Sequence, residues 1–322
     1  MFRIVQLSDL WTNGVAEDYL RTQSLIENLV QNLQPDLFVI TGDIVDPSKG
    51  SSFKALYENA MEFIKNSGIP WAWTGGSNVQ GLTREQMLRI DQAYSYENSW
   101  SGYKWENADS SFTEEQTGWF TGRIPIMANN TEMLSVYLFD SEHWQCADGV
   151  NMPGHNCIGS DAISWYTEQQ VAYSHHLSKR DILFMHRPIQ EFMQLANNYD
   201  VYGTKQEAVG CQAINTGLFG AALTQKKTGW IATGGDPDND FVAVYHGMHM
   251  SYGRKSGSGG PGNLPVGARV FELKMVPQSL IVSSWIVDAE GNKNPDAEVR
   301  VAASFSFTHQ TQCGVDPLAS MF

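Results

Sequence analysis

No stretch of the 322-residue chain approaches the roughly 18 consecutive apolar residues that a membrane-spanning helix needs. Positive charge is also scarce. Lys and Arg number 21 against 35 Asp and Glu, a formal net charge of -14. No basic run is longer than two residues, as at Lys226–Lys227. Binding to nucleic acid or to an anionic lipid surface depends on clustered Lys and Arg, so both are excluded as expected partners. Met1–Val5 runs straight into a strand-like stretch, with no apolar signal core and no cleavage pattern. That predicts a cytoplasmic protein. Cysteine is sparse, at four residues, and no Cys-x-x-Cys spacing occurs. Cys146 and Cys157 bracket a Gly/Pro loop and could pair in an exported protein; in a cytosolic one they are expected to be reduced thiols. Cys211 has no basic neighbour in sequence that would mark it as reactive.

What remains is ample material for a globular core: 42% hydrophobic residues, ten of them Trp, with only 17% charged. The first third alternates strand and helix. Arg3–Leu7 is a short apolar run, and Asp18–Leu33 carries Leu25, Ile26, Leu29, Val30 and Leu33 at helical spacing. Asp36–Ile40 is a continuous apolar strand, as in a buried sheet. Ser51–Asn66 is a second helix with Ser51 or Ser52 as cap, and Ile69–Trp73 a third strand. The rhythm predicts parallel neighbours covered by helices. Further strands are expected at Met133–Phe139, Ile182–Met185, Trp230–Ala232, Phe241–Tyr245, Met248–Tyr252, Val270–Lys274, Leu280–Val287 and Val301–Phe307, with helices at Ala162–Leu177 and Asn215–Thr224. Tyr94–Gly122 reads as a polar and aromatic excursion over the surface. Its Trp100, Trp105 and Trp119 either anchor a partner or cover the sheet. The expected organisation is one domain over residues 1–307 and a weakly patterned tail over 308–322, packing on a partner or on the body.

In an α/β fold, chemistry gathers in loops at the carboxyl ends of strands. The segments there are Ser8-Asp9-Leu10-Trp11, Gly42-Asp43-Ile44-Val45-Asp46, Thr74-Gly75-Gly76-Ser77-Asn78, Met185-His186-Arg187-Pro188 and Thr233-Gly234-Gly235-Asp236-Pro237-Asp238. Their order and placement resemble the five metal-site motifs of calcineurin-like metallophosphoesterases. Asn215–Phe219, Tyr252–Gly257 and Gly267–Leu273 look like the purple acid phosphatase-like branch, and the likeness runs from Arg3 to about Val287. The resemblance implies an α/β fold of two packed mixed β-sheets flanked by helices.

It also implies two metal ions. The positions for one fall on Asp9, Trp11, Asp43 and Pro237; the second shares Asp43 and adds Gly76, His186 and Gly235. Only Asp9, Asp43 and His186 keep a coordinating side chain. The family's phosphate-stabilising His falls on Ser77, and its Asp neighbour on Asn78. A catalytic zinc-type site usually takes about three protein ligands, and two-metal hydrolysis requires both ions. The expected protein is therefore a pseudoenzyme with no cofactor, acting as a binding or structural component of a protein assembly, with a cytoskeletal one as a guess. Mg²⁺ binds through few carboxylates, so Asp9, Asp43 and Asp46, with Asp236, Asp238 and Asp240 nearby, leave open a residual Mg²⁺-dependent phosphoesterase or phosphate-ligand binder. Otherwise Asp43 simply braces a loop. His186 is expected as a buried relic satisfied by backbone. His175–His176, His246 and His249 complete no site.

Overall fold

A computed structural model describes residues 1–77, 82–94, 98–103, 112–142, 156–173, 181–276, 279–293, 310, 311 and 313. Its first half runs β1 (Phe2–Leu7), α1 (Ala16–Leu33), β2 (Leu37–Ile40), a 3-10 segment (Pro47–Ser52), α2 (Phe53–Asn66), β3 (Trp71–Trp73), α3 (Arg84–Tyr94), α4 (Glu114–Thr117), β4 (Gly122–Ala128) and β5 (Thr131–Phe139). There follow α5 (Ser160–Ala172), β6 (Asp181–Met185), α6 (Glu191–Asn198), α7 (Leu218–Gln225), β7 (Thr228–Thr233), β8 (Val242–Tyr245), β9 (Met248–Tyr252), β10 (Ala268–Val276) and β11 (Ser279–Val287).

The strands form two mixed sheets, in the orders β11-β10-β1-β2-β3 and β4-β5-β6-β7-β9-β8. β1, β2 and β3 are parallel, as are β5, β6, β7 and β9. The period of two along each strand divides the core into layers. On β2, Leu37 and Val39 face the second sheet while Phe38 and Ile40 face α1 and α2. On β6, Ile182 and Phe184 face the first sheet while Leu183 and Met185 face the helices on the other side. Strands buried on both faces explain the unbroken apolar runs of the sequence. In α1 the buried Leu25, Ile26, Leu29 and Leu33 form one stripe, each worth about 1.5–3 kcal/mol of transfer free energy. Arg3 Nη1 donates to the Leu33 carbonyl at 2.8 Å, closing that helix's last turn.

Several expectations change. α2 is preceded by the 3-10 segment, and Ser52 stands at its start without a side-chain cap. The described parts of the segment after α3, 98–103 and 112–121, pack on the body, as in the reading that had these aromatics cover the sheet. Ser99 bridges Trp71, Trp100 and Trp119 pack partly buried against the core, and Phe120 is fully buried. Asp91 ties this cover down, accepting from Trp71 Nε1 at 2.9 Å and Ser99 Oγ at 2.8 Å. Trp105 lies outside the described residues. The unforeseen β4 is an edge strand, where Pro125 is tolerated. It turns into β5 through Asn129 and Asn130, both left-handed at φ 50° and 61°. α3 and α6 were not foreseen either, α3 because its face is mostly polar. The expected strand Val301–Phe307 and the pair His175–His176 lie outside the described residues. Among the described residues, no helix is long and apolar enough to cross a membrane.

Candidate functional site

Because the parallel strands of both sheets point the same way, the carboxyl ends of β1, β2, β3, β6 and β7 meet at one end of the molecule. Asp9, Asp43 and His186 are brought together there, all buried. His186 Nε2 lies 3.7 Å from Asp43 Oδ1, and its Nδ1 lies 3.5 Å from the Thr41 carbonyl. The ring's contacts are long. The His186 carbonyl is held better, accepting from Thr233 Oγ1 at 2.9 Å.

The other motif positions have turned into contacts. Asp43 Oδ1 accepts the Ser77 N–H at 2.5 Å and Oδ2 accepts the Ser77 hydroxyl at 3.0 Å. The loop after β3 thus uses both carboxylate oxygens. It comes this close only because position 76 is glycine; a Cβ there would lie 3.1 Å from Asp43 Cα and overlap Oδ1. Gly235, left-handed at φ 85°, donates its N–H to Asp9 Oδ2 at 3.1 Å. A Cβ on it would be strained by that φ and would lie 3.0 Å from the His186 carbonyl oxygen. Trp11, also left-handed at φ 46°, donates its N–H to the Asp43 carbonyl at 2.9 Å and packs its ring on Gly260. Pro237 packs on Gly262. Asn78 lies outside the described residues.

The nearby acids are committed elsewhere. Asp46 accepts from Ser48 N and Oγ at 2.9 and 2.6 Å, opening the 3-10 segment. Asp236 accepts from Gly210 N at 2.9 Å and Tyr252 Oη at 2.5 Å. Asp238 accepts from Asn263 and Leu264 backbone N–H groups, and Asp240 pairs with Arg254 at 2.5 Å. His249 stacks on Trp230, rings 4.4 Å apart, and His246 sits at the β8–β9 turn.

A second group of charges, placed by β5, leaves no sign in the sequence. Glu142 accepts from Arg187 Nε at 2.5 Å, and Asp140 from Arg84 Nη2 at 2.7 Å. Glu207, another unforeseen acid, accepts the Asp238 N–H at 2.5 Å. Only a contact between loops distant in sequence creates these groups, so spacing carries no signal for them.

Burial dominates the electrostatics. It pushes Asp9 up to about 6, aided by Asp43 and opposed by His186 and the Gly235 N–H. Asp43 and Asp236 are raised for the same main reason. Burial, Asp236 and Asp238 push Glu207 up to about 8. Glu142 goes the other way: burial would raise it, but the Arg187 guanidinium and His186 hold it below the ordinary carboxylate value.

Two metal ions, as in the enzymes with these motifs, do not fit this donor set. Each Asp43 oxygen already accepts a hydrogen bond from Ser77, Asp9 Oδ2 accepts one from Gly235, and positions 11, 76, 235 and 237 supply no ligand side chain. Among the described residues, no three or more His, Cys, Asp or Glu side chains are grouped to hold a metal.

Comparison with known proteins agrees with this architecture. A chain of Arabidopsis thaliana described as "probable inactive purple acid phosphatase 14" is 23% identical over 283 residues, covering 83% of this chain and 69% of its own length. An uncharacterized protein of Schizosaccharomyces pombe is 21% identical over 308 residues, covering 88% of this chain and 55% of its own. The present chain therefore spans little more than half of that second relative. Among solved structures, a dimetal phosphatase from Danio rerio superposes with a TM-score of 0.53 at 11% identity, over 89% of this chain and 99% of that one. The family model described as calcineurin-like phosphoesterase matches residues 2–209, well over half of the sequence. The chain belongs to the calcineurin-like phosphoesterase family.

Proposed function

We propose that this protein is a pseudoenzyme: a calcineurin-like phosphoesterase fold without two-metal phosphoester hydrolysis, serving as a binding or structural component of a protein assembly. The observation that carries the reading is the pair of hydrogen bonds that Ser77 donates to Asp43. The family resemblance gives that carboxylate to both metal ions; here it braces the loop after β3. The similarity to a plant protein described as probably inactive supports the same reading. Hydrolysis of an aryl phosphate should stay at the buffer rate with Mg²⁺, Mn²⁺, Zn²⁺ or Fe²⁺ present. Turnover that Asp43→Ala abolishes sinks the proposal. The positive half is tested by crosslinking and affinity capture from the native source, which should return a reproducible protein partner.

A second reading has one observation in its favour. Asp9, Asp43 and His186 still converge, with His186 3.7 Å from Asp43, so a phosphate ligand carrying Mg²⁺ could be held without being cleaved. Calorimetric titration with Mg²⁺ and inorganic phosphate separates the two: heat that Asp43→Ala removes, without turnover, favours the binder.

A further inference from the structure

The last described part of the chain is fastened to the body at the short stretch 209–212 and at Asn197. Cys211 and Cys313 form a disulfide across a sequence separation of 102 residues. Gln310 bonds both backbone groups of Val209, accepting its N–H at 3.1 Å and donating to its carbonyl at 3.0 Å. The Gln310 backbone in turn exchanges two bonds, of 2.7 and 3.0 Å, with the Asn197 amide near the end of α6.

The gripped stretch also braces the loops of the candidate site. Gly210 N–H bonds Asp236 Oδ2 at 2.9 Å, next to the Gly235 that holds Asp9. Gln212 donates through Nε2 to the Arg187 carbonyl at 3.0 Å and through its backbone to Pro188 at 2.9 Å, and its Oε1 accepts Ile158 N–H at 3.0 Å. The tail is thus one contact away from the loops after β6 and β7.

We propose that the Cys211–Cys313 disulfide is a redox-controlled strap: a dithiol reductant opens it, frees the segment around Gln310–Cys313, and loosens the brace on the Asp236 and Arg187 loops. Cys313 is only partly buried whereas Cys211 is fully buried, so the incoming thiolate attacks the Cys313 sulfur. The S–S bond breaks, Cys211 leaves as a thiolate and takes a proton, and a mixed disulfide remains on Cys313. The reductant's second thiol then closes on its first sulfur and releases Cys313. Two electrons and two protons pass to the protein, and the reductant leaves as a cyclic disulfide. The inference is independent of whether the site turns over a substrate. It pulls against the cytoplasmic expectation, since reducing compartments keep such pairs open except as transient or sensing bonds.

The test uses the full chain purified without reductant. Peptide mapping after denaturing alkylation should return a linked Cys211–Cys313 peptide that dithiothreitol separates. In hydrogen exchange, reduction of the folded protein should raise the rate in peptides covering 209–212 and 310–313 by about tenfold or more, while peptides from β6 and β7 keep theirs. Cys313→Ser should reproduce the reduced pattern without reagent. Both cysteines found alkylated without reduction would overturn the strap. So would exchange at 209–212 unmoved by reduction, or acceleration of every peptide together, which would make the bond a general staple.

Discussion

At the strand ends of the first sheet, the oxygens of the buried Asp9 and Asp43 accept from a glycine N–H, a serine N–H and a serine hydroxyl, with the His186 imidazole 3.7 Å from Asp43 and no guanidinium bonded to either. At the strand ends of the second sheet, Glu142 and Asp240 are just as buried, but each meets a guanidinium, from Arg187 and Arg254. The difference shows in the protons. Asp9 is pushed up to about 6, while Glu142 is held low. A buried carboxylate needs a cation or a proton. In a metal enzyme the ions would serve the first pair; here Asp9 and Asp43 lean on protonation and hydrogen bonds, and Glu142 and Asp240 on arginine.

Cutting the arginine side should do the most harm. Glu142→Ala removes the carboxylate that Arg187 Nε bonds in a buried ion pair and should cost about 3–5 kcal/mol in urea unfolding. The protonation side should show in pH dependence. The folded Asp9 value lies above the ordinary 3.8, so the folded state holds this proton more tightly than the unfolded chain. The stability it brings is complete below about pH 4 and is lost as pH rises through about 6. At 1.36 kcal/mol per unit the span is about 3 kcal/mol. Asp9→Asn should remove that slope from unfolding curves taken between pH 4 and 7, and an unchanged slope would assign it to other groups.

Refitting a ligand tests the packing. Gly76→Asn puts a Cβ onto Asp43 and should destabilise by about 1–3 kcal/mol in thermal melts. For the same reason, Trp11→His, Gly76→Asn, Ser77→His, Gly235→His and Pro237→His together should leave hydrolysis at background. The mildest change is Asp43→Asn. It removes a dry charge yet keeps an acceptor for Ser77 N–H, and should stay within about 1 kcal/mol of the parent. If it costs as much as Glu142→Ala, the contrast between the two sheets fails.

The fold was legible where the local pattern carried it. The strands that became β1, β2, β6 and β7 carry short apolar runs, and the loops after them hold the motif residues. Less was legible where a contact between distant segments decides. Four cysteines suggested a pairing of Cys146 with Cys157, or none. The structure joins Cys211 to Cys313 and buries Cys157, while Cys146 is outside the described residues. That pairing depends on where the tail returns, which no spacing records. The aromatics over β3 could be read either as a partner surface or as a cover because their sequence is polar; what anchors them is one buried carboxylate, Asp91. The losses at positions 11, 76, 235 and 237 could be read from the sequence. That glycine and tryptophan there now hold Asp43, Asp9 and Gly260 could not.

The central claim is that these carboxylates no longer hold metal. Its most direct test is elemental analysis of the full chain after equilibration with Mn²⁺, Zn²⁺, Fe²⁺ and Mg²⁺ and gel filtration, beside Asp43→Ala. The account predicts substoichiometric metal, the same in both proteins. Stoichiometric metal in the parent that vanishes with Asp43→Ala would contradict it.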